Sequence, residues 1–240
     1  YNGAIAYTPD GNPIVGPAPG LKNFWLNEGH SFGITAAGGA GWQLAEWIVD
    51  GEPTVDMMGV DPRRFGPYAT RGYLKEKNEE AYANVFTTHY PDEERSAARP
   101  LKTAPCYDRM KALGAVFGSV YGWERPNWFM PSADYSLSVE ELNQEDPAKV
   151  LMNKNHATAL EDGRIVEKNS FRRSNYFEHV GNECKHVNDK VGLLDMSAFA
   201  KCIVKGPGAE EWLEYIFANK MPKAIGRISL VHMLSLNGGV

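Results

Sequence analysis

The apolar positions change period once within residues 23–51, and both kinds of element meet there. Phe24, Trp25 and Leu26 form a short, partly aromatic apolar run that predicts a buried strand. Gly29-His30-Ser31-Phe32-Gly33 breaks it, with glycines where the backbone turns or approaches something closely. From Ile34 the spacing is helical: Ile34, Ala37, Gly41, Leu44, Ala45 and Ile48 share one face, and Gly51 with Pro53 stops the helix. A strand, a glycine turn and a helix start present free N–H groups and a partial positive charge, which suits an electron-rich ligand atom. A tightly packed strand–helix unit without a ligand satisfies the same residues.

Upstream, Ala4-Ile5-Ala6-Tyr7, the turn Pro9-Asp10-Gly11-Asn12-Pro13 and Ile14-Val15-Gly16 read as a hairpin. Downstream, Glu52 to Gly66 reads as an ordered connection, Thr70 to Asn84 as a solvated, charged helix, and Pro91 to Pro105 as a polar loop. A domain change falls near Pro105, and a helix starts at Asp108 to Leu113. Two tryptophans, two phenylalanines and a tyrosine within the sixteen residues Gly114 to Phe129 predict a packed aromatic loop in preference to a ligand cage. Ser132 to Asn169 is weakly patterned, an irregular insert with a short helix. Phe177, Val180, Cys184 and Val187 make Phe171 to Lys190 an amphipathic helix. Ala200 to Lys205 alternates as a strand, Ala209 to Asn219 is a helix with Trp212, Leu213, Ile216 and Phe217 inward, and Ile228 to Leu236 is a strand before the turn Asn237-Gly238-Gly239. Strands separated by helices predict an α+β (mixed α/β) protein.

A formal net charge of −5 argues against nucleic acid as the main partner. No apolar run approaches the roughly 18 residues of a membrane span. Tyr1 opens in mid-strand, so the text reads as a fragment of a longer chain. Cys106, Cys184 and Cys202 lack C-x-x-C spacing, which indicates a reducing compartment and no zinc site; His179 and His186, seven apart, read as surface chance.

Three segments resemble successive domains of one family. Tyr7-Thr8-Pro9-Asp10-Gly11-Asn12-Pro13-Ile14-Val15-Gly16-Pro17 and Gly29-His30-Ser31-Phe32-Gly33-Ile34 are similar to the closing part of an FAD domain of the D-amino-acid oxidase type. Asp61-Pro62-Arg63-Arg64-Phe65 and Arg99-Pro100-Leu101 resemble the middle domain of the same enzymes. Gly122-Trp123-Glu124-Arg125-Pro126-Asn127-Trp128-Phe129, with Val191 to Ser197 and Val204-Lys205-Gly206-Pro207, is similar to the start of a folate-binding domain of the glycine-cleavage T-protein type. The combination resembles the dimethylglycine and sarcosine dehydrogenases.

The resemblance implies an FAD portion over residues 1–55, a middle domain over 56–110 and a folate-binding portion over 111–240. It implies oxidation of an N-methylated glycine by FAD, with dimethylglycine ahead of sarcosine, and one-carbon transfer to tetrahydrofolate. Electrons would pass to electron-transfer flavoprotein or oxygen, in bacterial cytoplasm or mitochondrial matrix, with neither membrane nor nucleic acid as partner. His30, Ser31, Phe32, Gly33, Ile34 and Thr35 then border the flavin, and Leu230, Val231 and His232 line the pterin pocket. His232 alone reads equally as a satisfied core histidine. A folate role for Trp123 and Glu124 yields to packing. The Gly-x-Gly-x-x-Gly fingerprint is absent, no histidine matches the flavin-attaching one, and the catalytic Asp of T-protein-like domains would follow Val240. No residue here is therefore assigned as catalytic or metal-binding, and the isolated chain is expected to be inactive. Two other readings compete: a non-catalytic regulatory protein of the same architecture, like the pyruvate dehydrogenase phosphatase regulatory subunit, and an isolated folate module.

Overall fold

The computed structural model describes residues 3–138, 140–141, 157–234 and 238. It is a mixed α/β protein that divides by internal contacts into one unit of Tyr1–Ala198 and a second of Phe199–Val240.

Within the first unit, β1 (Ile14–Pro17) pairs antiparallel with β2 (Trp25–Glu28), register Ile14↔Glu28 to Pro17↔Trp25. This differs from the expected hairpin, because residues 4–7 form no strand and β1 takes its partner from downstream. The other side of β1 is occupied at Val15, whose N–H donates to the Val60 carbonyl at 2.8 Å. The segment ending at Tyr7 is held instead by α2 (Arg71–Ala83): Asn78 Nδ2 donates to the Tyr7 carbonyl at 2.9 Å, and Tyr82 meets the Tyr7 ring edge-on. Thr70 caps α2 by accepting from the Tyr73 N–H, as its residue type favours.

The predicted helix forms as α1 (Gly33–Asp50) and ends where expected, at Gly51 in the left-handed conformation. Its buried side is not the predicted one. Ile34 is fully exposed and Ile48 half-exposed, whereas Trp47 is buried against β1 and meets Trp25 edge-on at 5.9 Å. Gly16 makes room for it: a Cβ there would stand 2.9 Å from the Trp47 ring, at a backbone φ of +141°. The helix carries apolar residues all round, so period alone could not select the face, and the largest ring decided it.

The aromatic string is a hairpin, not a loop. β3 (Ala115–Val120) pairs antiparallel with β4 (Trp123–Phe129) through the two residues Tyr121 and Gly122, both at positive φ (51° and 80°) as a type I′ turn requires. Val116 faces Trp128 while Phe117 faces Pro126, so Asn127 is bulged out. The bulge is what admits a proline within a strand. Trp128 is fully buried with Val116 and with Val166 of β6 (Ile165–Lys168), which pairs with β5 (Ala157–Ala159). Tyr135, Tyr176 and His179 surround the indole at 5.5–5.6 Å between ring centroids. The short helix α3 (Tyr107–Ala112) leads into β3. The expected amphipathic helix is α4 (Phe177–Asp189), shorter at its start than the pattern suggested. It buries Val180 partly against the Trp128 cluster and leaves Phe177, Cys184 and Val187 exposed. Of the insert predicted over Ser132 to Asn169, residues 139 and 142–156 lie outside the described ones.

In the second unit, α5 (Ala209–Ile216) forms, with Leu213, Ile216 and Phe217 half-buried and Trp212 exposed. The strands expected at 200–205 and 228–236 are not strands over their described residues. A strand exists only with a ladder partner, and what reaches the second segment is a single bond from the Ala218 N–H to the His232 carbonyl at 2.9 Å among the described residues. Asn237 and Gly239 of the expected turn lie outside the described residues.

The 96–97 end of loop 91–97 is fastened by the Glu80 carboxylate. Glu80 accepts the Ser96 and Ala97 N–H groups, both at 2.8 Å, and pairs with Lys77 at 2.8 Å. Burial pushes its pKa up, but the Lys77 and backbone hydrogen bonds outweigh that and hold it below the usual 4.5. A depressed folded-state pKa gives stability that is complete above about 4.5 and is lost as pH falls through the lower folded value. Protection of the Ser96 and Ala97 amides, relative to their unstructured exchange rates, is therefore expected to fall as pH drops below 4.5, before that of the Trp128 core. A uniform loss of protection across both regions would contradict a local latch.

Candidate functional site

The proposed flavin turn lies between β2 and α1. His30 Nε2 bonds Asn27 Oδ1 at 2.7 Å, while its buried Nδ1 has no partner among the described residues. Phe32 holds the N-cap position without a side-chain cap bond, so no side-chain acceptor closes the helix start. Ile34 and Thr35 point to solvent, and Cβ atoms built at Gly38, Gly39 and Gly41 would meet nothing within 4 Å. An uncapped dipole end followed by an open glycine face fits a flat, electron-rich group.

The other predicted set is less assembled. Leu230 is exposed, Val231 half-buried and His232 exposed, and the His232 carbonyl accepts the Ala218 N–H at 2.9 Å. These residues belong to the second unit, whereas the flavin turn belongs to the first.

An open cleft of about 1330 Å³ lies in the first unit between the 9–13 turn, the 53–68 segment, α2 and loop 95–102. Phe32 of the flavin turn lies on its wall, edge-on to Phe86 at 6.3 Å. The motif Asp61-Pro62-Arg63-Arg64-Phe65 builds the floor. Asp61 caps the 3₁₀ turn Pro62–Arg64 and grips Arg63 through both carboxylate oxygens. Burial raises the Asp61 pKa, yet the Arg63 side-chain and backbone hydrogen bonds leave it below the ordinary range. Arg64 donates to Asp10 at 2.7 and 3.1 Å and to the Asn12, Pro13 and Asp61 carbonyls at 3.0–3.1 Å. With its donors committed, Arg64 stitches two loops together and has little left for a ligand. Tyr68 and Tyr73 form an aromatic wall, their rings at 5.4 Å and nearly perpendicular, with burial pushing both phenols up.

Beside the cleft, Arg99 enters the hairpin. Its Nε and Nη2 donate to the two oxygens of buried Glu124 at 2.9 and 2.6 Å, and Nη2 also reaches the Phe117 carbonyl at 2.9 Å. That carboxylate keeps the Arg99 guanidinium above its ordinary pKa. Lys102 adds backbone bonds to Gly122 and Glu124 at 2.9 and 2.8 Å. Glu124 and Arg125 stand side by side in the sequence, but the observed fork comes from 25 residues upstream. Local reading had no signal for it.

Two family matches cover most of the chain. The FAD dependent oxidoreductase central domain matches residues 50–104, and the GCVT N-terminal domain matches residues 106–240. Among curated proteins, the chain is 37% identical to the mitochondrial dimethylglycine dehydrogenase of Mus musculus, over all of this chain and 24% of that protein. It is 29% identical to the mitochondrial sarcosine dehydrogenase of Homo sapiens, over 99% of this chain and 26% of that protein. It is also 31% identical to the mitochondrial pyruvate dehydrogenase phosphatase regulatory subunit of Mus musculus, over 97% of this chain and 24% of that protein. The chain thus spans about a quarter of the length of the curated relatives it matches.

Proposed function

Since the chain belongs to the GCVT N-terminal domain family and carries an FAD dependent oxidoreductase central domain directly before it, we propose that it is part of a flavin- and folate-dependent dehydrogenase of N-methylated glycines. The succession of these two domains in one chain is the observation that carries the reading. Dimethylglycine is the favoured substrate, ahead of sarcosine, because the mouse dimethylglycine dehydrogenase is the nearer of the two relatives in identity.

FAD, when bound, supplies the hydride acceptor for oxidation of the N-methyl amine. Residues His30, Ser31, Phe32, Gly33, Ile34 and Thr35 would border it, where the uncapped α1 start favours developing negative charge. Leu230, Val231 and His232 would face tetrahydrofolate, the acceptor of the one-carbon unit. Electron-transfer flavoprotein or oxygen would take the electrons. The mitochondrial relatives fit a matrix location, and bacterial cytoplasm serves the same chemistry.

The regulatory subunit keeps a second reading in play, a non-catalytic protein of the same architecture. An absorption spectrum of the natural protein carrying this chain separates them. Flavin bands that bleach on anaerobic addition of dimethylglycine, and less with sarcosine, are expected. A protein without flavin bands, or with bands indifferent to both amines, is the regulator.

A further inference from the structure

The loop after α2 carries a hydrogen bond whose direction follows from the chemistry of its two partners. Arg95 Nη2 lies 2.9 Å from His89 Nε2. A guanidinium only donates, so Nε2 is the bare, accepting nitrogen and the ring proton sits on Nδ1. Nδ1 stands 3.8 Å from Glu93 Oε1. One ring thus meets a cation through one nitrogen and an acid through the other, and it can hold the cation only while neutral.

The backbone around this pair is fixed independently of it. Tyr90 is buried, its ring 5.2 Å from that of Phe171. Pro91 and Asp92 turn the chain, Asp92 at a φ of +59°, and the Glu93 N–H donates to the Tyr90 carbonyl at 3.3 Å. Glu93 Oε2 accepts the Tyr90 N–H at 3.0 Å, so the acid facing His89 is held in place. Beyond Arg95, Glu80 accepts the 96–97 amides, and the Arg95 carbonyl accepts from Arg99 at 3.4 Å. What remains able to move is the Arg95 side chain. His89 and Arg95 both line the cleft, whose other charged groups are committed elsewhere: Lys77 to Glu80, Arg63 to Asp61, Arg64 to Asp10, Lys102 to the Tyr121 carbonyl and Asp56 to the Met58 N–H. None of these bonds the His89 ring among the described residues.

We propose that His89 is a proton-operated clasp on the cleft wall: neutral, it holds the Arg95 guanidinium; protonated, it releases Arg95 and turns to Glu93. A proton at Nε2 removes the lone pair that Arg95 uses and sets two like charges against each other. The same proton makes the Glu93 contact an ion pair. The loop backbone keeps its bonds throughout, so the change is the swing of one side chain and not the opening of a loop. Imidazole is the side chain that changes charge between about pH 5 and pH 8. The Glu80 latch, by contrast, gives way only in the acid range of carboxylates. The clasp is separate from the flavin turn and does not depend on the proposed reaction.

The test is heteronuclear NMR of the natural protein carrying this chain, labelled at its arginines and read at the Arg95 Nε–H from about pH 8 to about pH 5. The signal lost in Arg95→Lys identifies it. That signal is expected to move as a single proton is taken up, while protection of the Ser96 and Ala97 amides stays constant over the same range. His89→Phe keeps a flat ring without nitrogens, and the signal should then sit at every pH where the parent's sits in acid. His89→Gln supplies an amide oxygen that accepts at every pH, and the signal should stay at the parent's alkaline position. Glu93→Gln withdraws the acid's charge, so release should need about threefold more proton. If one ring variant fails to fold, the other still decides. An Arg95 signal that ignores pH, one that still titrates in both ring variants, or one that moves only as the 96–97 amides open would overturn the clasp. Release in Glu93→Gln at the parent's pH would overturn the exchange of partners.

Discussion

Glu124→Gln is expected to destabilise the first unit by about 3–5 kcal/mol, the usual consequence of removing one partner from a buried ion pair. The carboxylate is almost wholly enclosed, and the Arg99 side chain facing it is only 17% exposed. A glutamine can still accept from Nε, but its amide nitrogen would face the Nη2 donor now 2.6 Å from Oε2. Arg99 would remain charged, buried and short of an acceptor, keeping only the Phe117 and Arg95 carbonyls. For a unit of this size the loss corresponds to a fall in melting temperature on the order of 10 °C. A paired replacement, Arg99→Met with Glu124→Leu, removes both charges and should recover most of the loss. A Glu124→Gln protein melting within 2 °C of the parent would mean that the fork contributes nothing to stability.

The second large effect falls on Trp128. Trp128→Ala should cost about 3–5 kcal/mol, since a fully buried indole leaves a cavity that Val116, Val166 and two tyrosines only partly refill. Trp128→Phe isolates the polar share. The indole Nε1–H donates to Oε1 of buried Glu167 at 2.5 Å, and the Thr158 hydroxyl donates to the other oxygen, Oε2, at 2.7 Å. Phenylalanine would leave that carboxylate with one donor fewer, worth about 1–3 kcal/mol beyond the lost volume. Adding Glu167→Gln to Trp128→Phe should then destabilise less than the two single changes summed. Urea midpoints of the four proteins read the coupling directly, and strict additivity would show that the indole contributes by volume alone.

How much of this could be read from the sequence depended on whether a residue's partner was local. The extent of α1 was legible, because period and Gly51 both act within the helix, as was the Thr70 start of α2. The face of α1 was not, because Gly16 and Trp25 choose Trp47 from outside it. Tyr121-Gly122 hid the β3–β4 hairpin, tyrosine being a poor advertisement for positive φ, and the Asn127 bulge broke the alternation. The patterns at 200–205 and 228–236 are those of strands, yet the described residues of the second unit offer them no ladder. Of the candidate sites, the glycine turn announced itself by its break in period.

The backbone bridge between Lys102 and Trp123 sits almost on the boundary between the two matched families, at residues 104 and 106. A boundary drawn by descent usually marks a place where few contacts cross and either side can melt alone. Here the central-domain side joins the hairpin through the isolated Lys102–Trp123 bridge and places its Arg99 on the hairpin's buried acid. Neither side can come apart without stranding polar groups in the other. The seam between the two matched domains is therefore expected to open as a single cooperative foldon.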